Sequence, residues 1–289
     1  MSKVLEPART LDRIISTIGD LPATPAVIAM LMNMTSNIDT DIDKISRVIL
    51  ADQSLTAKVL KLSNSSFYGR AKEVKTLKEA VVILGFLTLH SLVIATATQR
   101  LYQKTVDDGI SEKLWAHASA AAIASRLTAQ AARFPYIEEA FIAGLLHDIG
   151  KLVLTQKMTE DYRRVVRAIE AARGSFVEHE EAAFGFNHAQ VGALLLQKWS
   201  FPKELTEAVG AHHQPPDSEG LYAALPHVIN LGNFMAKKLD VGFDDFAVDD
   251  IASLPSAIRL NLDAAQLEEI QVQLAGHFEE EKEFFKLRN

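Results

Sequence analysis

Apolar residues recur at helical spacing along most of this chain. In the first hundred residues they fall into three groups: Ile28, Leu31 and Met32; Ile42, Ile45, Val48 and Ile49; and Leu55, Val59, Leu60 and Leu62. Side chains three or four residues apart share one face of a helix. Turn-forming residues at 64–69 then interrupt the pattern. No convincing run alternates between apolar and polar positions, so the sequence predicts an all-α fold.

The rest of the chain predicts a second group of helices. Segments of ordinary helical length occupy residues 114–132, 138–154, 160–172, 184–199 and 202–211, and a connector at 106–109 precedes them. Asp263 and Gln266 resemble a capping box that opens a C-terminal helix. We therefore expect an N-terminal helical half (1–105), a multi-helix bundle (106–243) and an acidic helical extension (244–289).

Residues 80–98 carry no charge, and the length of this run approaches the roughly 20 residues that a membrane-spanning helix needs. Thr76 and Glu79 fit a capping box that would start one helix, and Gly85 can end it. The segment after Gly85 includes polar residues such as His90 and Ser91. Two short buried helices fit these features better, so we expect no membrane span.

The chain of 289 residues contains no cysteine. This excludes disulfides, thiolate catalysis, iron–sulfur clusters and cysteine zinc fingers, and it leaves His, Asp and Glu as the strong metal ligands. The first seven residues lack the basic stretch and apolar run of a secretory signal. We therefore expect a cytoplasmic protein.

The net charge of −7 is concentrated near the C-terminus, because residues 244–289 hold eleven acidic and four basic side chains. The preceding residues are neutral overall and show no clustered lysine or arginine run. Nucleic-acid-binding proteins normally present a basic surface, so we expect no nucleic-acid partner. The acidic segment is more typical of a solvated helix face than of a site for a basic partner.

An imidazole and a carboxylate stand side by side at His147 and Asp148, within an apolar stretch that ends at Lys151. Burying such a pair without partners has a free-energy cost on the order of several kcal/mol. A salt link, a hydrogen-bond network or a bound cation would offset this cost. Taken singly, most histidines are packed or surface residues, but four more lie in neighbouring segments: His117, His188, His212 and His213.

We expect these five histidines to converge on Asp148 and bind one or two divalent ions, with Asp148 suited to bridging. Imidazole-rich coordination favours iron or zinc, with manganese or nickel as alternatives, over magnesium. One carboxylate facing two such ions leaves positive charge that attracts phosphate. The other histidines are interpreted as structural or surface residues: His90, His179, His227 and His277.

Several separated motifs resemble HDOD, the HD-related output domain branch of the HD superfamily of metal-dependent phosphohydrolases. The likeness covers roughly residues 15–238 and includes the His117, His147-Asp148, His188 and His212-His213 order. Leu21-Pro22-Ala23-Thr24-Pro25 resembles the opening motif, and residues 52–56 and 60–65 resemble the N-terminal signature. The resemblance implies an HD-type bundle and bacterial signal transduction.

A related branch that hydrolyses cyclic dinucleotides has a similar histidine order and a lysine placed like Lys151. This chain departs from that branch in two ways. Gln214-Pro215-Pro216-Asp217 replaces its Gly-Tyr-Pro segment, and Gly232-Asn233 stands where a late metal-binding aspartate is expected. The neighbouring Asn230 does not restore the missing charge.

Two functions therefore follow from the resemblance. In the favoured one, the chain is a signalling output module with a protein partner, and its metal is structural or regulatory. In the alternative, a phosphohydrolase uses Asp148 to bridge or orient metal-bound water and Lys151 to stabilise phosphate charge. A helix-end lysine favoured by the helix dipole is an equal interpretation of Lys151.

Overall fold

The computed structural model of the chain describes residues 13–14, 16–32, 38–64, 74–103, 109–172, 174–243 and 250–285. These residues form helices joined by turns and contain no strand, so the all-α prediction is confirmed. The predicted boundaries after residues 105 and 243 adjoin segments 104–108 and 244–249, which lie outside the described residues. The division into three regions stays a prediction.

Before the first of these segments, the described residues include a short helical stretch at 13–14 and 16–18 and the helices α1 (Ala26–Met32), α2 (Ile38–Ala51), α3 (Gln53–Ser63) and α4 (Leu77–Gln103). The predicted capping box opens α4, because the amide of Glu79 donates to Thr76 Oγ1 (3.2 Å) and the amide of Thr76 donates to Glu79 Oε2 (3.0 Å). After α3, the side chain of Asn64 accepts from the amide of Val74 (2.6 Å) and donates to its carbonyl (2.8 Å). Asn64 therefore links the end of α3 to Val74.

Helix α4 is interrupted at Gly85, as the sequence predicts. Gly85 has φ 78° and ψ 166°, a conformation open mainly to glycine. By length and composition, α4 is apolar enough to cross a membrane, and half of its most apolar window is buried. The segment after Gly85 is buried on most sides, with Leu89, Leu92 and Ile94 in the core. Packing within the protein accounts for this hydropathy.

The second group comprises α5 (Ile110–Ala131), α6 (Ile137–Leu146), α7 (Ile149–Lys157), α8 (Thr159–Ala172), α9 (Phe176–Phe184), α10 (His188–Lys198), α11 (Lys203–Gly210), α12 (Leu225–Lys238), α13 (Pro255–Arg259) and α14 (Ala264–Phe285). Asp263 and Gln266 form the predicted capping box of α14, with backbone-to-side-chain distances of 2.8 and 3.0 Å. The other predicted segments lie within four residues of observed helices, but α9, α12 and α13 correspond to no predicted segment.

The single helix predicted over 138–154 is wrong, because the chain turns between α6 and α7. His147 keeps helical dihedrals, but Asp148 adopts φ −100° and ψ 11° and ends the regular hydrogen bonding. Both helices are buried on nearly all sides, so apolar residues continue across the turn. The periodicity therefore gives no sign of the break.

Helix α5 lies at the centre of the bundle and packs against α6, α12 and α14. Glycines on two of these neighbours allow close approach: a Cβ added at Gly144 would lie 2.5 Å from Ser125 Oγ, and one added at Gly232 would lie 2.3 Å from the same atom. Helices α6 and α12 therefore meet α5 at one level. This packing carries His117, His147 and the end of α6 to a common region.

Candidate metal centre

The structure brings the six sequence-predicted ligand residues together from four parts of the chain. His117 lies on α5, the His147-Asp148 pair forms the turn after α6, His188 is the first residue of α10, and His212 and His213 follow α11. All are buried except His213, which is partly exposed. Asp148, His188, His212 and His213 offer ligand atoms within 4.8 Å of one another, as do His117, His147 and Asp148.

Asp148 is shared by both groups, and its two oxygens face different histidines. Oδ2 lies 3.4 Å from Nε2 of His147 and 3.7 Å from Nε2 of His117. Oδ1 lies 3.1 Å from Nε2 of His188 and 3.8 Å from Nε2 of His212. A carboxylate placed in this way could offer one oxygen to each of two ions.

Hydrogen bonds fix the tautomers of two ligand histidines. Nδ1 of His147 lies 2.7 Å from the carbonyl of Gly144, and Nδ1 of His212 lies 2.7 Å from the carbonyl of Val209. A carbonyl only accepts, so each Nδ1 carries a proton, and the neutral form of each ring has its lone pair on Nε2. Both Nε2 atoms and Asp148 Oδ1 are buried without a hydrogen-bond partner. Such atoms are costly to bury, and a cation would satisfy all three.

A carboxylate that the sequence analysis did not identify supports His188. Oε2 of Glu180 accepts from the amide of His188 (2.7 Å) and lies 2.6 Å from its Nδ1, while Oε1 accepts from the hydroxyl of Tyr162 (2.8 Å). Glu180 and His188 are fully buried. A carboxylate behind a histidine in this way orients the ring and raises its basicity toward a metal.

The two asparagines of α12 have different roles. Oδ1 of Asn233 lies 3.0 Å from Nε2 of His117, so Asn233 lies at the cluster, and a metal bound to that Nε2 would replace the proton of this contact. Asn230 does not reach the cluster with its oxygen; its Nδ2 donates to the backbone carbonyl of His212 (2.8 Å). Asn230 Oδ1 accepts from Ser256 on α13 (2.8 Å), and Nδ1 of His227 lies 3.1 Å from the same hydroxyl. His227 therefore belongs to a buried chain that ends at the His212 backbone.

Lys151 lies in the first turn of α7, not at its end, so the helix-dipole interpretation is wrong. A cation there is opposed by the dipole. Its Nζ lies 2.7 Å from Asp148 Oδ2 and 4.0 Å from the ring centre of Phe176. Asp148 and the aromatic ring account for its buried position.

Burial and neighbouring charges set the ionisation of the cluster. Burial is the main cause that holds the pKa values of His117, His212 and His213 well below the usual range. Burial is also the largest single influence on His188 and acts in the same direction, but Glu180 and Asp148 together outweigh it and raise the pKa of His188. Burial opposes ionisation of Asp148, yet His147, Lys151 and His188 keep its pKa well below the usual value. Lowered pKa values keep His117, His212 and His213 in the neutral form that binds metal, whereas the raised pKa of His188 means that metal binding competes there with a proton.

The space beside the cluster is small. A cavity of about 10 Å³ is bounded by Leu114, His117, Asp148, Lys151, Phe176 and Phe243. Gly242, with φ 99°, lies against His117, where an added Cβ would come within 2.9 Å of the histidine Cβ. The aromatic rings of Phe176 and Phe243 are 5.6 Å apart. The segment that leads to Phe243 therefore covers the cluster.

The donor set and its orphaned atoms fit a divalent transition metal. The family model for the HDOD domain matches residues 21–215, about two thirds of the chain. This chain belongs to the HDOD family. The HDOD match includes the N-terminal helices as well as all six ligand residues.

Solved structures show the same fold. An HDOD domain protein of unknown function from Geobacter sulfurreducens has a TM-score of 0.82 at 24% identity, over 98% of this chain and 97% of that one. A "putative phosphohydrolase" from Shewanella amazonensis has a TM-score of 0.74 at 26% identity, over 95% and 98%. A "putative signal transduction protein" from Marinobacter aquaeolei has a TM-score of 0.74 at 23% identity, over 99% and 67%.

Among curated relatives, an uncharacterized protein from Treponema pallidum is 27% identical over 226 residues. The alignment covers 77% of this chain but 43% of the relative. The HDOD chain thus spans less than half the length of that protein.

Proposed function

We propose that this HDOD protein is a cytoplasmic module of bacterial signal transduction whose output depends on metal bound at Asp148. The proposal rests on three buried atoms that can coordinate a metal and have no hydrogen-bond partner. They are Nε2 of His147, Nε2 of His212 and Oδ1 of Asp148. Fully apolar packing would not retain such atoms, because each costs about 1–3 kcal/mol when left unsatisfied.

Two ions fit the ligand groups. His117, His147 and Asp148 Oδ2 would hold one, and His188, His212, His213 and Asp148 Oδ1 would hold the other. Iron or zinc suits this imidazole-rich set best, with manganese or nickel as alternatives. When bound, such an ion supplies Lewis acidity and positive charge.

Regulation is favoured over hydrolysis by the size of the space at the cluster. A cavity of about 10 Å³ has no room for a phosphodiester, and Phe176 and Phe243 bound it. Asn233 also contributes no charge where a second carboxylate would balance the ions. The described part of the N-terminal half carries none of the six ligands, so we assign it to binding a signalling protein partner.

Hydrolysis is the second candidate, and Lys151 favours it. Its buried ammonium is 2.7 Å from Asp148 and borders the small cavity. In this function Lys151 would neutralise a substrate phosphate, and Asp148 would orient the ions. The covering segment would then have to move for substrate to bind.

Metal analysis tests the metal site. We expect one or two equivalents of iron or zinc in the purified protein and in His179→Ala, whose Nδ1 bonds locally to the Ser175 carbonyl. His212→Ala is expected to lose metal while keeping its helical circular dichroism. Equal metal content in both variants would contradict the assignment of His212 to a metal site.

Turnover separates the two functions once metal is loaded. Bis(p-nitrophenyl) phosphate and cyclic dinucleotides are incubated with the iron-, manganese- and zinc-loaded protein. We expect no turnover. Hydrolysis that disappears in Asp148→Asn and Lys151→Gln would establish the enzyme instead.

A further inference from the structure

A second cavity lies directly beside the candidate metal centre. It has a volume of about 150 Å³ and is formed by the start of α5, one face of α8 and Phe243. Phe243 also lines the 10 Å³ cavity next to Asp148. The two spaces therefore share one aromatic ring as a wall, and we call the larger one the outer cavity.

The lining of the outer cavity is positively charged. Among the described residues that line it, Lys113, Arg163 and Arg167 contribute three cations, and Glu170 is the one acidic side chain. Lys113 pairs with Glu170 (2.7 Å), whereas Arg163 pairs with Glu160 (2.6 Å), which is exposed and outside the lining. The lining therefore carries a net charge of +2 at neutral pH.

Two further features add to this field. Arg163 and Arg167 lie one turn apart on α8, a spacing at which like charges repel. Glu160 offsets part of this repulsion at Arg163, and an anion in the cavity would offset more. The 22-residue helix α5 begins at the cavity edge after Gly109, which has φ 85° and offers no side-chain cap. The amides of this first turn and the helix dipole favour negative charge at the same place.

We propose that the outer cavity binds the phosphate group of a phosphate-containing ligand. Its volume lies below the roughly 300–1,000 Å³ of pockets that enclose whole small molecules, so it accepts a group of phosphate size. Guanidinium groups and helix amides are the donors that recognise phosphate. Any nucleoside attached to the phosphate would remain outside the cavity.

The bound phosphate would act on the metal centre through Phe243, and this step rests on the proposed function. Nζ of Lys113 lies 4.8 Å from the ring centre of Phe243. A phosphate that draws Lys113 away weakens this contact and frees the ring that covers the cluster. The ligand would thereby regulate access to the ions.

Calorimetry on the metal-free, full-length chain tests the binding step. Inorganic phosphate and AMP are titrated into the wild type, Arg167→Gln and the matched control Arg164→Gln. Arg164 is exposed, pairs with Asp161 and lines a different cavity. Loss of one charge-assisted hydrogen bond should weaken binding about tenfold or more in Arg167→Gln, while Arg164→Gln should match the wild type.

The result also identifies the source of the phosphate. Tighter binding of AMP than of phosphate points to a nucleotide, and equal binding points to free phosphate. The assignment of the outer cavity as a phosphate site would be overturned if both arginine variants lost the same affinity for phosphate. It would also be overturned if the metal-free chain bound no phosphate. Phosphate binding confined to the metal-loaded chain would also overturn it, but would leave the proposed metal site intact.

Chelation kinetics test the coupling to the metal. The zinc-loaded chain is mixed with excess chelator, with and without saturating phosphate. We expect phosphate to speed zinc removal from the wild type and from Arg164→Gln but not from Arg167→Gln. Identical rates with and without phosphate in the wild type would refute the role of Phe243.

Discussion

One carboxylate determines how His188 faces the cluster. Glu180 binds both the amide and the ring of His188 with one oxygen and holds Tyr162 with the other. The ring can turn only by breaking a buried, charge-assisted hydrogen bond. Glu180 is therefore a positioning residue for the proposed metal.

Glu180→Gln is expected to weaken metal binding about 10- to 100-fold, the usual effect of removing a carboxylate behind a ligand histidine. The amide can still accept from the backbone, so the fold should persist. Competition with a chelating dye measures the affinity. Glu178→Gln on the exposed face of the same helix is the control, and an equal loss there would contradict the assigned role.

The convergence of the candidate ligand residues was easier to predict than the residues that support them. Without cysteine, histidine and acidic side chains are the strong ligands, and the adjacent His147 and Asp148 within an apolar stretch are distinctive. Glu180 has no such mark, because Glu178, His179 and Glu181 surround it in a segment that resembles a solvated helix face. Its burial depends on tertiary packing, which local composition does not record.

At the scale of helices, close contact between α7 and α10 places Asp148 against His188. A Cβ added at Gly150 would lie 2.0 Å from the carbonyl oxygen of His188 and 2.8 Å from the amide nitrogen of Gly192. Both atoms are backbone, so the clash could be relieved only by moving a helix.

Gly150→Ala is expected to lower the free energy of unfolding by roughly 1–3 kcal/mol through overpacking. Metal affinity should fall as well, because α10 begins with His188. Gly276→Ala on α14 is the matched control, since nothing lies within 4 Å of its added Cβ. Helix propensity should make that variant up to about 1 kcal/mol more stable. Urea denaturation of both variants measures whether the free energy of unfolding falls in Gly150→Ala and rises in Gly276→Ala.

The helix α13 reaches the metal centre through Ser256 and Asn230. Ser256→Ala removes a donor from the buried Asn230 oxygen and loosens the turn that carries His212. We expect a loss of about 1–3 kcal/mol in stability and an altered visible spectrum of the cobalt-substituted protein. Ser253→Ala, which loses only an exposed bond to the Asp250 carbonyl, should leave the spectrum unchanged.

Helix class and most helix boundaries followed from the apolar spacing, but the turn at His147 and Asp148 did not. Spacing reports which residues are buried, and at this point every neighbour is buried whether or not the helix continues. The roles of Asn230, Ser256 and His227 were also missed, because they depend on contacts between residues far apart in the chain.

At the scale of the whole molecule, metal should behave as part of the fold. The candidate ligands come from α5, α10 and two turns, so two ions that share Asp148 would link segments nearly one hundred residues apart. At about 100 times the dissociation constant, zinc would add roughly 2.7 kcal/mol and raise Tm by roughly 5 °C.

Thermal unfolding of the chelated protein, with and without added zinc, measures this stabilisation. The His212→Ala variant should show a much smaller rise in Tm. An equal rise in the variant would mean that zinc acts elsewhere on the protein.

The cover formed by Phe176 and Phe243 has a consequence for metal selection. An ion enclosed beneath these rings leaves only when the cover opens, so release is slow even where another element would bind more strongly. The metal that the protein holds is then determined largely during folding, by the element that is available in the cell. Cultures rich in iron and cultures rich in zinc should therefore yield proteins that keep different ions through purification.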